Sequence, residues 1–240
     1  MQTKAIFTLA ATSLILTACG GGGGGSSTPA DTSTPAPVAE KQAPFLFSAN
    51  NGSNDFQLWK TEGTAETTSM VKVINASGDA DINNIIRVGQ LSYFIADDGI
   101  NDEQLWVSDG TEAGTIALAT EPRDMVAFKG QLFFSTGDPT DSNNEELWKS
   151  DGTAAGTVKV KEINPSADSS PSEFAVLGDT LYFSANDGTN GYELWKTDGT
   201  AAGTVMAANI AAGTNNSNPY NLTVLGEKLL FAADDGTGTN

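Results

Sequence analysis

From Phe45 onward the apolar residues fall into short runs, each closed by Gly, Asp or Asn. One full cycle reads FAVLG (Phe174–Gly178), LYFSAN (Leu181–Asn186), YELWKT (Tyr192–Thr197) and TVMAANI (Thr204–Ile210). These are segments of strand length bounded by turn residues. Within LYFSAN, Leu181, Phe183 and Ala185 share one face, yet Tyr182 and Ser184 on the other face are only weakly polar. Leu194 and Trp195 are adjacent in sequence and so point to opposite faces. Such strands need cover on both sides. A four-stranded sheet packed between two like sheets meets that need, whereas a sheet with one solvated face does not.

The cycle repeats. The string ELWKTDGTAAGT at Glu193–Thr204 recurs upstream as QLWKTEGTAETT from Gln57, QLWVSDGTEAGT from Gln104 and ELWKSDGTAAGT from Glu146. Its tryptophans, Trp59, Trp106, Trp148 and Trp195, are spaced by 47, 42 and 47 residues, a period that marks blades or solenoid units. Phe47, Phe94, Phe134, Phe183 and Phe231 occupy matching strand positions, so five units are started. The predicted fold is all-β, a β-propeller-like array of four-stranded blades over residues 45–240. Strand counting has the chain enter at the second strand of one blade and stop after the second strand of the fifth, leaving three blades complete. Asn221–Leu225 could supply the strand missing from the first blade, but Leu229–Ala233 would then expose an edge. The count fits an incomplete ring, a piece of a larger propeller.

Asp109-Gly110, Asp151-Gly152 and Asp198-Gly199 follow the tryptophan strand, where Asp-Gly supplies the positive φ that tight hairpin turns need. A second turn precedes that strand: Asn51-Gly52, Asp98-Gly99, Asp187-Gly188 and Asp235-Gly236. The third unit departs with Gly137-Asp138-Pro139, and the first has Glu62 for Asp and Thr67 for Gly, as befits a unit at the end of an array. ELWKTDGTAAGT, with LYFSANDG before it, resembles the bacterial ELWxxDGT repeat family. The resemblance implies a propeller-like array in an exported or surface protein, and it brings no catalytic residue.

The chain begins differently. Lys4 precedes an apolar run, Ala5–Ala18, too short to span a bilayer but suited to a secretory signal at residues 1–18. Leu16, Thr17, Ala18 and Cys19 resemble the bacterial lipoprotein box, which implies diacylglyceryl attachment to Cys19, cleavage before it, and acylation of the new amino terminus with fatty acids such as palmitate. Gly20, where inner-membrane retention uses Asp, favours the outer membrane. Residues 20–44, rich in Gly, Ser, Thr and Pro, cannot bury enough surface to offset the entropy of ordering and form a tether.

With 12 basic and 30 acidic residues the net charge is −18, and 28 of the acids lie after residue 44. That field repels nucleic acid and anionic headgroups, so the membrane contact expected is through the lipid anchor alone. The absence of histidine removes Ser-His-Asp and Cys-His chemistry and ordinary zinc sites. Three candidate chemistries remain. The tryptophans suit either sugar stacking or packing between blades. Asp98, Asp187 and Asp235 in the Asp-Gly turns could ligate Ca²⁺, although turn geometry already accounts for them. Glu146 and Glu193 could be read as a glycosidase carboxylate pair, but they recur by register, with Gln57 and Gln104 in the other units, whereas catalytic groups are placed once. The reading that results is a non-enzymatic, lipid-anchored envelope protein without a cofactor that binds a protein or polysaccharide. A structural spacer and a carbohydrate-directed propeller enzyme are the alternatives. A binding module should carry an irregular patch on one rim, for which the loops Asn75–Asn84 and Asn164–Glu173 are the candidates.

Overall fold

In a computed structural model, the described residues run from 43 to 237, without 51, 54, 121, 139 and 140, and with the backbone alone at 120, 138 and 141–143. The lipoprotein box with Cys19 and nearly all of the tether lie outside them. Among the described residues every regular element is a strand. Blade 1 comprises β1 (Phe45–Asn50), β2 (Phe56–Thr61) and β3 (Ser69–Lys72). Blade 2 comprises β4 (Asn83–Val88), β5 (Leu91–Asp97), β6 (Glu103–Ser108) and β7 (Ile116–Thr120). Blade 3 comprises β8 (Met125–Phe128), β9 (Gln131–Asp138), β10 (Asp141–Ser150) and β11 (Val158–Lys161). Blade 4 comprises β12 (Ser172–Leu177), β13 (Thr180–Asn186), β14 (Tyr192–Thr197) and β15 (Val205–Ala208), and blade 5 the pair β16 (Tyr220–Leu225) and β17 (Lys228–Ala232).

All pairings are antiparallel between strands consecutive in sequence. The first strands β4, β8, β12 and β16 lie beside one another in that order, so the blades fan around a common axis. This is the β-propeller-like array expected of the sequence, with three four-stranded blades between a three-stranded and a two-stranded one. The closure in which Asn221–Leu225 completes blade 1 is not made, since β16 pairs with β17 alone.

The core sits in the junctions between blades. Leu46, Leu58, Val71, Phe94 and Trp106 fill junction 1/2. Tyr93, Leu105, Val107, Leu132 and Phe134 fill junction 2/3. Phe133, Leu147, Val160, Phe183 and Trp195 fill junction 3/4. Tyr93, Phe94, Ile95 and Ala96 are consecutive and all buried, which a strand achieves only when covered on both faces. Each tryptophan strand also meets its outer neighbour through a β-bulge directly before the tryptophan, between Leu58 and Trp59, Leu105 and Trp106, Leu147 and Trp148, and Leu194 and Trp195. The extra residue, Val71 in β3 and Val160 in β11, is buried, and the local twist re-aims the residue that follows it.

Candidate functional site

Antiparallel topology divides the connections between two rims. The first-to-second and third-to-fourth strand turns share one rim, and the second-to-third turns and blade-to-blade loops share the other.

On the first rim the Asp-Gly turn is not the tight hairpin expected of it but a longer loop closed by its own side chains. Asp198 Oδ1 accepts the Thr200 N–H at 2.8 Å and the Thr200 hydroxyl at 2.7 Å, and the Thr200 hydroxyl accepts the Gly203 N–H at 3.0 Å. Asp109 and Asp151 repeat the arrangement. A Cβ on Gly114, Gly156 or Gly203 would sit inside the aspartate carboxylate, which is why the motif pairs Asp with a Gly five residues on. In unit 1 the departures compensate each other. Thr67 fills the glycine's place, and its hydroxyl accepts the Thr64 N–H at 3.3 Å and the Glu62 N–H at 3.1 Å, as a carboxylate does elsewhere.

The acidic or amide residue before Leu-Trp holds the loop on the opposite rim. Glu146, fully buried, accepts the N–H groups of Ile163 and Asn164 at 2.9 and 3.0 Å and the Ser169 hydroxyl at 2.7 Å. Glu193 treats Ile210, Ala211 and Ser217 alike. Gln57 accepts the N–H groups of Ile74 and Asn75 and donates to the carbonyls of Asn75 and Gly78, and Ala80 stands where the glutamate units have serine. Burial pushes the Glu146 carboxyl above its ordinary pKa, against the pull of Ser169 and the two amides. Neither glutamate offers a face to a sugar, and each is a loop anchor.

Asp98, Asp187 and Asp235 serve their turns in the same way. Asp98 Oδ1 accepts the N–H groups of Ile100 and Asn101, both at 2.8 Å, and Asp187 those of Thr189 and Asn190. Asp235 accepts the N–H and hydroxyl of Thr237. These bonds hold all three below their ordinary pKa, at Asp187 against an opposing effect of burial. Among the described residues no three acids come together as a metal site. Trp106 and Trp195 are buried and Trp148 half-buried in the blade junctions, and Trp59, on blade 1, is half-buried outside the three junction clusters. The faces of Trp106 and Trp195 are packed between blades and are not presented to solvent as platforms.

What the second rim does present is a cleft of about 1000 Å³ at the mouth of the axis between blades 2, 3 and 4. The two loops singled out from the sequence converge there, through Asn83 and Asn84 on one side and Ser170 on the other. The third wall is low, because β7 and β8 are joined by residues 121–124, whereas residues 73–82 and 162–171 make the equivalent connections. That shortening is the 42-residue spacing in the tryptophan period, a signal the sequence carried. Arg123, Asp124, Glu103, Glu145 and Tyr192 add charge and an aromatic ring. Arg123 Nε stands 3.4 Å from Glu145 Oε2, with Arg123 largely exposed and Glu145 largely covered. Burial raises the Glu145 pKa. Arg123 and the nearby Ser135 hydroxyl oppose the rise, and Asp168 and Asp124 add to it. Ser170 and Asn84 hold left-handed backbone, but so do their counterparts Asp81 and Asn218, and Glu173 and Asn221, so that strain belongs to the repeat and not to the cleft. An open cleft lined by amides, hydroxyls, charges and one aromatic side chain suits a polar chain such as a peptide segment or a glycan.

No protein-family profile and no curated protein matches the chain. Among solved structures it is similar to puromycin hydrolase, with a TM-score of 0.45 and 17% identity over 74% of this chain and 29% of that one. It is also similar to the computationally designed Ika8 protein, with a TM-score of 0.44 and 15% identity over 82% of this chain and 54% of that one. A prolyl endopeptidase structure matches with a TM-score of 0.44 and 16% identity, over 78% and 29%. The chain thus spans less than a third of the length of puromycin hydrolase and of the prolyl endopeptidase. At these scores the likeness supplies no argument about site or activity.

Proposed function

We propose that the protein is a lipid-anchored, non-catalytic binding module of the bacterial cell envelope, an ELWxxDGT repeat protein held at the outer membrane through Cys19, which takes a protein or polysaccharide ligand in the mouth cleft. The observation that carries the reading is the convergence of both irregular loops on a cleft opened by the one shortened connection in the array. Two further facts support it. The chain enters the folded unit on the other rim, where the Ala43 N–H donates to Gln90 Oε1 at 3.1 Å and Arg87 Nη1 donates to the Ala43 carbonyl at 3.0 Å. The recurring glutamates are occupied as loop anchors, which speaks for a binding role over a hydrolytic one.

A photo-crosslinking residue placed at Ile85, an exposed residue of the cleft, is expected to give a discrete adduct in intact cells, and one at the more exposed Ile100, outside the cleft, none. Adducts from neither position, or equally from both, would remove the cleft as the binding site. Mass spectrometry of the same purified protein should find the mature chain starting at a lipidated Cys19, and an unmodified Cys19 would remove the anchor.

A further inference from the structure

Junctions 1/2 and 3/4 each contain a lysine that junction 2/3 lacks. Lys72, the last residue of β3, crosses to blade 2, where its ammonium lies 5.7 Å from the centre of the Trp106 ring and donates to the Thr115 carbonyl at 2.8 Å. Lys161, the last residue of β11, does the same to blade 4, 6.0 Å from Trp195 and 2.7 Å from the Thr204 carbonyl oxygen. Each lysine pairs across its own blade with the leucine before the tryptophan, Leu58 and Leu147. In blade 2 the residue in that register, opposite Leu105, is Ala119.

The volume left by the smaller side chain is not refilled. A pocket of about 320 Å³ opens there, lined by Leu118, Ala119, Gln104, Trp148 and Thr157. Trp148 and Thr157 are the blade 3 counterparts of Trp106 and Thr115, so the pocket has the floor and the turn against which the internal lysines lie. It also has an acceptor that the other junctions use up. Gln104 Oε1 is buried and has no hydrogen-bond partner among the described residues. In the other units this position accepts N–H groups 17 and 18 residues on. In unit 2 the second of those places is Pro122, which has no N–H to give.

We propose that this pocket binds a primary ammonium on an unbranched alkyl stem, the chemistry of a lysine side chain from a partner polypeptide. The stem packs on Leu118 and Ala119, and the ammonium meets the face of the Trp148 ring, as Lys72 and Lys161 do within the chain. The net charge of −18 draws cations toward the surface. The pocket shares no lining residue with the mouth cleft and stands independently of the function proposed for that cleft.

The test uses the full mature chain, labelled with ¹⁵N at its four tryptophans and followed by the indole N–H resonances. The probe is Nα-acetyl-lysine N-methylamide, with the norleucine counterpart as its uncharged control. The Trp148 resonance, assigned with Trp148→Phe, is expected to shift with the lysine derivative and not with the norleucine one. Ala119→Lys, which supplies the internal lysine, should weaken binding by at least about tenfold through occupation of the site. Lys161→Ala should open a second pocket, so that the Trp195 resonance responds as well and the stoichiometry rises from one to two. A Trp148 resonance indifferent to the probe, an equal response to norleucine, or unchanged binding in Ala119→Lys would overturn the proposal. If Ala119→Lys fails to fold, Ala119→Met fills the pocket without charge and must show the same loss of binding.

Discussion

Junction 3/4 and junction 2/3 are made from the same repeat, yet one is closed and the other open at two places. At 3/4, Lys149 donates to the Gly199 carbonyl at 3.0 Å, Lys161 spans to Trp195 and Thr204, and the loop 162–171 is pinned by Glu146. At 2/3 the corresponding residues are Val107 and Ala119, the connection is 121–124, and Pro122 has no N–H to offer Gln104. Apolar contacts take over, with Val107, Leu105 and Tyr93 against Leu132 and Phe134, helped by the Tyr93 hydroxyl, which donates to the Ser150 carbonyl at 3.3 Å. The mouth cleft and the pocket beside Trp148 both lie along this junction. Like units bury their surfaces against one another, and in this array both openings lie where a unit departs from the pattern.

The largest effect should separate the two junctions directly. Trp195→Ala removes a buried ring from a filled junction and should cost about 3–5 kcal/mol, while Trp148→Ala, at the wall of a pocket, should cost roughly 2 kcal/mol. Denaturant unfolding of both variants measures the difference. Equal losses would mean that junction 2/3 is as tightly packed as its neighbour.

A smaller effect is expected at the turn of blade 4. Gly203→Ala forces the Asp198 carboxylate from its seat and should cost about 1–3 kcal/mol. Asp198→Glu combined with Gly203→Thr reproduces the pair found in unit 1 and should recover most of that loss, read as the melting temperature. A double variant as unstable as the sum of its parts would refute the compensation seen between Glu62 and Thr67.

The smallest effect is a change of slope with pH. Burial raises the folded-state pKa of Glu146 above its unfolded value, so its contribution to stability is fully present below about pH 4 and is lost as pH rises through the folded pKa. Glu146→Gln, the residue that unit 1 uses as Gln57, should therefore gain on the wild type as pH rises above about 4. Urea titrations at three pH values check this. A difference that does not vary with pH would show that the buried carboxyl is not the source.

Much of the fold was legible in the sequence because it repeats. Strand order, the three complete blades and the need for cover on both faces follow from the tryptophan period and from runs such as LYFSAN. The rims were less legible. Asp198-Gly199 reads as a tight hairpin turn, and only the structure shows that its carboxylate closes a longer loop through Thr200 and Gly203. The candidate loops Asn75–Asn84 and Asn164–Glu173 were recognisable by irregularity, whereas Arg123, Glu145 and Ala119 drew no notice, since each is ordinary in type and unusual only against its counterparts in the other blades.

The sequence by itself determined the period, the all-β character and the residues that face the junctions, because each rests on local spacing and on the alternation of side chains along a strand. The tertiary structure decided what those residues meet. Glu146 finds its amides 17 and 18 residues on, and Lys161 finds Thr204 43 residues on. Those partners depend on a bulge before each tryptophan and on how closely one blade approaches the next. Neither is a property of any short stretch of chain, since a bulge exists only between two strands and a junction only between two blades.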